Sequence, residues 1–180
     1  MNVYVLNSDA DSFRSIYLAG DADWFEFTSR FNGTPMKDSW SGKVLQFKYT
    51  RGLLPKGDTP SFDATILVFN AKAVEALADL LEPNGEILPI TCEGEPLFLY
   101  NVTRLVDALD EENSELERFD DGRIMDIDRH SFYSEKVANE VVFKVPQIAL
   151  HDIFTTDPFI ARVAAAGLRG FTFPLVWTDE

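Results

Sequence analysis

Cysteine is almost missing: Cys92 is the only one in 180 residues. No intrachain disulfide can form, which excludes a stapled secreted scaffold. No histidine stands near Cys92 in sequence, so it reads as a small buried apolar residue and not as a reactive thiol. Histidine is scarce as well, with only His130 and His151. Neither belongs to a His-Glu-x-x-His or Cys/His cluster, which leaves a zinc site unsupported. His151-Asp152 are neighbours in sequence, which is not how a catalytic base meets its orienting carboxylate. Long apolar runs are also missing. Ile66-Leu67-Val68-Phe69 is typical, far below the ~18 residues of a membrane span. There is no Gly-x-Gly-x-x-Gly and no P-loop, and Gly167-Leu168-Arg169-Gly170 follows a helical pattern and precedes a strand, the reverse of a phosphate cradle. Met1 to Asp9 turns polar at once, without the basic and apolar regions of a signal peptide. The expectation is a cytoplasmic, non-enzymatic protein with no cofactor and no metal.

Positive charge is the other shortage. Sixteen Lys and Arg face thirty Asp and Glu, a formal charge of −14. Such a chain is a poor ligand for nucleic-acid phosphates and is repelled by anionic lipid. Disorder is excluded by composition, since 46% of residues are hydrophobic and fifteen are Phe. The length suits one domain over 1–180, with 1–60 as a candidate irregular N-terminal lobe.

The acidity is concentrated. Asp107, Asp110, Glu111, Glu112, Glu115, Glu117, Asp120, Asp121, Asp126 and Asp128 share one segment with only Arg118 and Arg123, a net −8. Lys37, Lys43, Lys48, Arg51 and Lys56 against Asp38 make Lys37–Lys56 a net +4. Dense like charge destabilises a compact state, so the basic stretch, a cation or a basic partner is expected to compensate. The functional reading is an acidic docking surface for a cationic protein; the plain reading is solubility. Trp24, Trp40 and Trp177 lie beside polar residues and are either interface anchors or packed aromatics.

The pattern predicts an α+β fold with a mostly antiparallel sheet, hairpins and two main helices. Strands are expected at Asn2–Leu6, near Trp24–Thr28, at Lys43–Thr50 with Leu45, Phe47 and Tyr49 inward, at Ala64–Phe69, Val141–Val145 and Phe171–Trp177. Glu86–Cys92 and Leu97–Val102 read as one hairpin, and Leu116–Phe119 with Arg123–Ile127 as a second around Asp121-Gly122. Asn70 caps a helix over Lys72–Leu81. Thr156 or Asp157 caps another, with Pro158 in its first turn and Gly167 at its stop. Arg51–Pro60 is a loop.

One metal arrangement is conceivable. Asp126, Asp128 and His130 would alternate onto one face of a continuing strand and could serve a metal-dependent hydrolase; the plain alternative is a solvated strand face. An EF-hand fails, because Phe119 would fall at a ligand position if Gly122 were the loop glycine. A generic interaction or regulatory domain is the third possibility.

The order of segments is more specific. Tyr4-Val5-Leu6 precedes Phe62-Asp63 and Ile66–Phe69; the Lys72–Leu81 helix leads into Glu86–Ile90; Leu99–Val102 runs into Asp107–Ser114; Ile153–Phe159 and Gly167–Phe173 close on Val176-Trp177. With its Leu109-Asp110-x-x-x-Ser114 and Gly167-Leu168-x-Gly170-x-x-Phe173 elements, this order resembles an immunity protein family of bacterial polymorphic toxin systems, formerly a domain of unknown function. Residues 9–56 match it poorly. The resemblance implies a small protein made beside a toxin that it neutralises by direct binding, with no catalytic residues. The toxin's own activity does not transfer. Combined with the acidic segment, the expected partner is a basic toxin. The expected contacts are the ten carboxylates from Asp107 to Asp128, with Trp24 or Trp40 as aromatic anchor.

Overall fold

The structure is a computed structural model that describes residues 1–20, 22–41 and 45–179. In chain order its strands and helices begin with β1 (Asn2–Val5), β2 (Asn7–Ser8), β3 (Ile16–Ala19), α1 (Trp24–Thr28), β4 (Gln46–Tyr49), β5 (Leu67–Phe69) and α2 (Ala71–Leu81). They continue with β6 (Gly85–Cys92), β7 (Glu95–Val102), β8 (Glu115–Arg118), β9 (Ile124–Arg129), α3 (Ser134–Val137), β10 (Val142–Phe143), β11 (Phe154–Thr156), α4 (Asp157–Ala165), β12 (Phe171–Thr172) and β13 (Leu175–Thr178). This is an α+β fold built mostly from antiparallel strands.

A five-stranded sheet runs in the order β3-β4-β6-β7-β5 and a four-stranded sheet in the order β10-β11-β1-β13. β12–β2 and β8–β9 form two-stranded ladders. Among these pairings only β4–β6 is parallel. β4 alternates as its sequence demands, with Phe47 and Tyr49 buried and Gln46 and Lys48 exposed. Lys43 and Val44, the start of the expected strand, lie outside the described residues.

Two expected strands differ. Trp24–Thr28 is a helical turn because Asp23 adopts an extended N-cap conformation and its carboxylate accepts the Glu26 N–H at 2.8 Å. The turn drops Phe27 among the rings of Phe31, Trp40, Phe47 and Phe62, at centroid distances of 5.4 to 6.4 Å. The edge beside β4 is taken by β3. Phe171–Trp177 is split, since Pro174 has no N–H for a ladder. β12 pairs with β2, while β13 pairs with β1 in another sheet.

The helices follow their caps. Asn70 accepts the Ala73 N–H at 2.8 Å to start α2. α4 ends in a Schellman arrangement: Gly167 has φ 59°, and Gly167 and Leu168 donate to the Ala164 and Val163 carbonyls. Both helices pack over Leu67, Phe69, Tyr100 and Val102 on one face of the large sheet. Its other face packs Leu88, Ile90, Leu97 and Leu99 with the Phe27–Phe62 ring cluster. Cys92 is fully buried there, and burial pushes its thiol up to about 11. A third core joins Val3, Val5, Phe143 and Phe154 of the smaller sheet to Leu109, Ile124, Ile127 and Phe132.

Two polar ties cross between these layers. Lys144 is fully buried, and its ammonium donates to the carbonyls of Phe31 (2.7 Å) and Thr65 (3.0 Å). Burial lowers its pKa to about 8, against a weaker opposing pull from Asp63 and Asp152. Asp58, in the loop before β5, accepts from Arg169 N–H (2.7 Å), the Asn70 amide (2.9 Å) and Lys72 (3.4 Å). It thereby joins that loop to the start of α2 and to the turn after α4.

Candidate partner-binding site

The acidic segment becomes an arm. Leu109 is buried, and the Asp110 carboxylate caps the turn after it by accepting from the Asn113 N–H (3.2 Å) and amide (2.7 Å). Ser114 Oγ donates to the Asp110 carbonyl at 2.7 Å and accepts the Ser131 N–H at 2.9 Å, pinning the two ends of the arm together. Between those pins runs the β8–β9 hairpin, reversed at Gly122 with φ 86°. Ile124 and Ile127 are buried against the third core, and the remaining β9 positions face solvent.

This fixes where each expected contact residue lies. Asp110 is buried and spent on the turn. Glu111 is half-buried, and Asp107, Glu112, Glu115, Glu117, Asp120, Asp121, Asp126 and Asp128 are exposed. Arg118 pairs with Glu111 (2.7 Å), Arg123 with Asp121 (2.8 Å), Arg129 with Glu115 (2.9 Å), and Lys136 lies 3.9 Å from Asp107. Among the described residues Glu112, Glu117, Asp120, Asp126 and Asp128 have no ion partner, and no ion pair joins this arm to the Lys37–Lys56 stretch. Register sets Glu117 directly across from Asp126.

Trp24 and Trp40 belong elsewhere. Trp24 is 42% exposed and packs on Phe62 at 4.8 Å. Trp40 is half-buried, donates its indole N–H to the Pro89 carbonyl at 2.9 Å and sits by Phe27 and Phe31. No ring contact or hydrogen bond among the described residues links either to the arm.

The alternating Asp126-Asp128-His130 face does not form. A register shift between the Ile127 and Arg129 pairings leaves Asp128 as an extra residue, and β9 ends at Arg129. His130 stacks on Phe132 at 5.9 Å, with its Nε2 buried and unpartnered. Burial holds the imidazole below its ordinary value, against a smaller pull from Asp126. Among the described residues no three His, Cys, Asp or Glu side chains converge to hold a metal.

Two concavities that the sequence did not reveal flank the arm. An open cleft of about 650 Å³ lies between the hairpin tip and the Pro146–His151 turn. Its lining includes buried Ile124 and Ile148 together with Phe119 and Leu150, which are 46% and 45% exposed. A second hollow of about 480 Å³, lined by Asp107, Glu111, Glu112, Glu135 and Tyr133, shares Glu111 and Gln147 with the first. In it the Lys136 ammonium lies 4.6 Å over the Tyr133 ring and donates to the Asp107 carbonyl at 2.6 Å. The nearby carboxylate of Asp110, then burial, then Glu112 and Asp107 push the Tyr133 phenol above its ordinary value. The only sequence trace of the cleft is Phe119, a lone aromatic inside the acidic run; Leu150 lies 31 residues away and carries no such signal.

Residues 89–177 match the immunity protein family Imm11. No curated protein matches the chain. The matched stretch runs from within β6 to within β13 and contains the arm, Lys144, the second hollow and the larger cleft's lining apart from Asn32 and Thr34. β1 to β5 and α2 precede it. The match covers 89 of the 180 residues, just under half of the chain. No helix among the described residues is long and apolar enough to cross a membrane.

Proposed function

We propose that this chain is a cytoplasmic immunity protein that binds a cognate bacterial toxin of basic character and blocks it, using the carboxylates of the β8–β9 arm. The Imm11 match supports the immunity role. The observation that carries the acidic interface is the set of exposed carboxylates Glu112, Glu117, Asp120, Asp126 and Asp128, without ion partners among the described residues. Among the described residues neither an ion pair from the basic stretch nor a converging metal site compensates these carboxylates, which supports a cationic partner. Such a field raises the association rate and rejects wrong partners. Holding a lethal enzyme at low concentration calls for a dissociation constant near ~1 nM, about 12 kcal/mol.

Asp110 and Ser114 position the arm and make no contact themselves in this proposal. The test is co-expression with the toxin encoded by the neighbouring gene. Wild type is expected to protect. Reversing Glu112, Glu117 and Asp120 to Lys is expected to abolish protection and to weaken binding of the purified toxin. Full protection and unchanged affinity in that variant would remove the acidic interface and leave the immunity role standing.

A further inference from the structure

The carboxylates supply a field, but a field alone does not supply tight binding. Tight interfaces need a desolvated apolar or aromatic anchor seated in a pocket, ringed by contacts that exclude water. Among the described residues no ring contact or hydrogen bond links Trp24 or Trp40 to the arm, so the anchor is sought at the arm itself. The cleft beside the hairpin tip has the needed parts: Phe119 and Leu150 remain about half exposed although each could bury more area, and Ile124 and Ile148 give the space between them apolar lining. Arg118 and Arg123 also line it, yet both guanidiniums are already committed, to Glu111 with the Gly122 carbonyl and to Asp121. They therefore frame the cleft without making it a receptor for anions. The adjoining hollow is rich in carboxylates, and Lys136 shows within it what a cation does there, lying over Tyr133 and against Asp107.

On the immunity reading above, we infer that the occupant of this cleft is a segment of the toxin that places one apolar or aromatic side chain between Phe119 and Leu150 and a neighbouring Lys or Arg into the hollow of Asp107, Glu111, Glu112 and Glu135. The two concavities share Glu111 and Gln147, so a single segment can reach both. Charge complementarity selects this occupant over a second copy of the chain, because two arms of net −8 repel. The apolar seat supplies residence time, and the carboxylate hollow supplies register and rate.

The experiment is isothermal titration of the purified toxin domain encoded by the neighbouring gene, rendered inactive, into wild type and four variants. Phe119→Ala with Leu150→Ala removes the seat; Leu150→Arg obstructs it with a like charge for the basic segment. Glu112→Lys reverses the hollow. Leu53→Ala alters a fully exposed leucine elsewhere on the surface. All four positions are exposed, and thermal unfolding checks that each variant keeps the wild-type transition. The expected result is a loss of about 30-fold or more for the double variant and for Leu150→Arg. Glu112→Lys is expected to lose at least about 10-fold, with Leu53→Ala unchanged. Wild-type affinity in the double variant or in Leu150→Arg overturns the cleft as the seat while the immunity role survives. Equal losses in Leu53→Ala and the seat variants overturn it too. Failure of wild type to bind the toxin at all overturns both.

Discussion

Glu117 and Asp126 face each other across the β8–β9 ladder, two carboxylates in direct register with no cation assigned to either among the described residues. Like charges in that relation destabilise a two-stranded ladder. A hairpin selected for stability alone would place a Lys at one of the two positions. Glu117→Lys is therefore expected to stabilise the free protein by roughly 0.2–1 kcal/mol while weakening toxin binding. Urea unfolding at low and high salt reads the first effect, which shrinks as the Debye length falls from ~10 Å at 0.1 M to ~3 Å at 1 M. A variant no more stable than wild type at low salt would show that the opposition is not felt.

Lys144 makes stability depend on alkaline pH. Its folded pKa is about 8, below the ~10.4 of a free lysine. Below pH 8 both states carry the proton, and the folded state holds a desolvated ammonium. Between about 8 and 10.4 the unfolded chain still binds a proton that the folded one has released, so stability rises with pH, by about 3 kcal/mol in all. Lys144→Met is expected to lack that rise. The measurement is the difference in unfolding free energy between the two proteins from pH 7 to 10.5, which cancels the general charge effect; a constant difference contradicts it.

Asp58 acts at the other end of the scale. Burial alone would raise its carboxyl, but hydrogen bonds from Arg169 N–H, the Asn70 amide and Lys72 outweigh it and hold the group below the ordinary value. Its contribution is complete above the ordinary carboxylate pKa and is lost as pH falls through the lower folded value. Asp58→Asn is expected to cost about 2 kcal/mol at neutral pH and to flatten the acid limb of the stability curve below the ordinary carboxylate range. Denaturant midpoints from neutral pH into that limb check both.

Ser114 pins the arm at both ends. Ser114→Ala is expected to cost about 1–2 kcal/mol and to speed amide hydrogen exchange across β8 and β9 while leaving α2 and β7 protected. Uniform acceleration throughout the molecule would instead assign Ser114 to global stability.

Local chemistry explains which parts of this architecture are legible in the sequence. Asn70 caps α2 from within the chain, Gly167 terminates α4, and Gly122 turns the β8–β9 hairpin; each needs only neighbouring residues. Trp24–Thr28 misleads because its aromatic composition suits a strand, while the decisive carboxylate belongs to Asp23 just outside it. The break at Pro174 decides between two sheets whose partners, β1 and β2, lie at the opposite end of the chain. The acidity of the arm is visible as composition. Its division into paired and unpaired carboxylates is not, because the register that brings Glu117 to Asp126 and Glu115 to Arg129 depends on two ladder irregularities. The cleft is least visible of all, since Phe119, Ile124, Ile148 and Leu150 come from separate stretches of the chain and meet only in the tertiary fold.

The sealed position of Cys92 has a practical corollary. The chain's sole sulfhydryl lies under packed side chains and resists ionisation, so the native surface offers nothing for maleimide or iodoacetamide chemistry. A cysteine introduced at the hairpin tip would be labelled alone, which turns the wild-type background into a ready-made host for fluorophores and photocrosslinkers that report on whatever lands there.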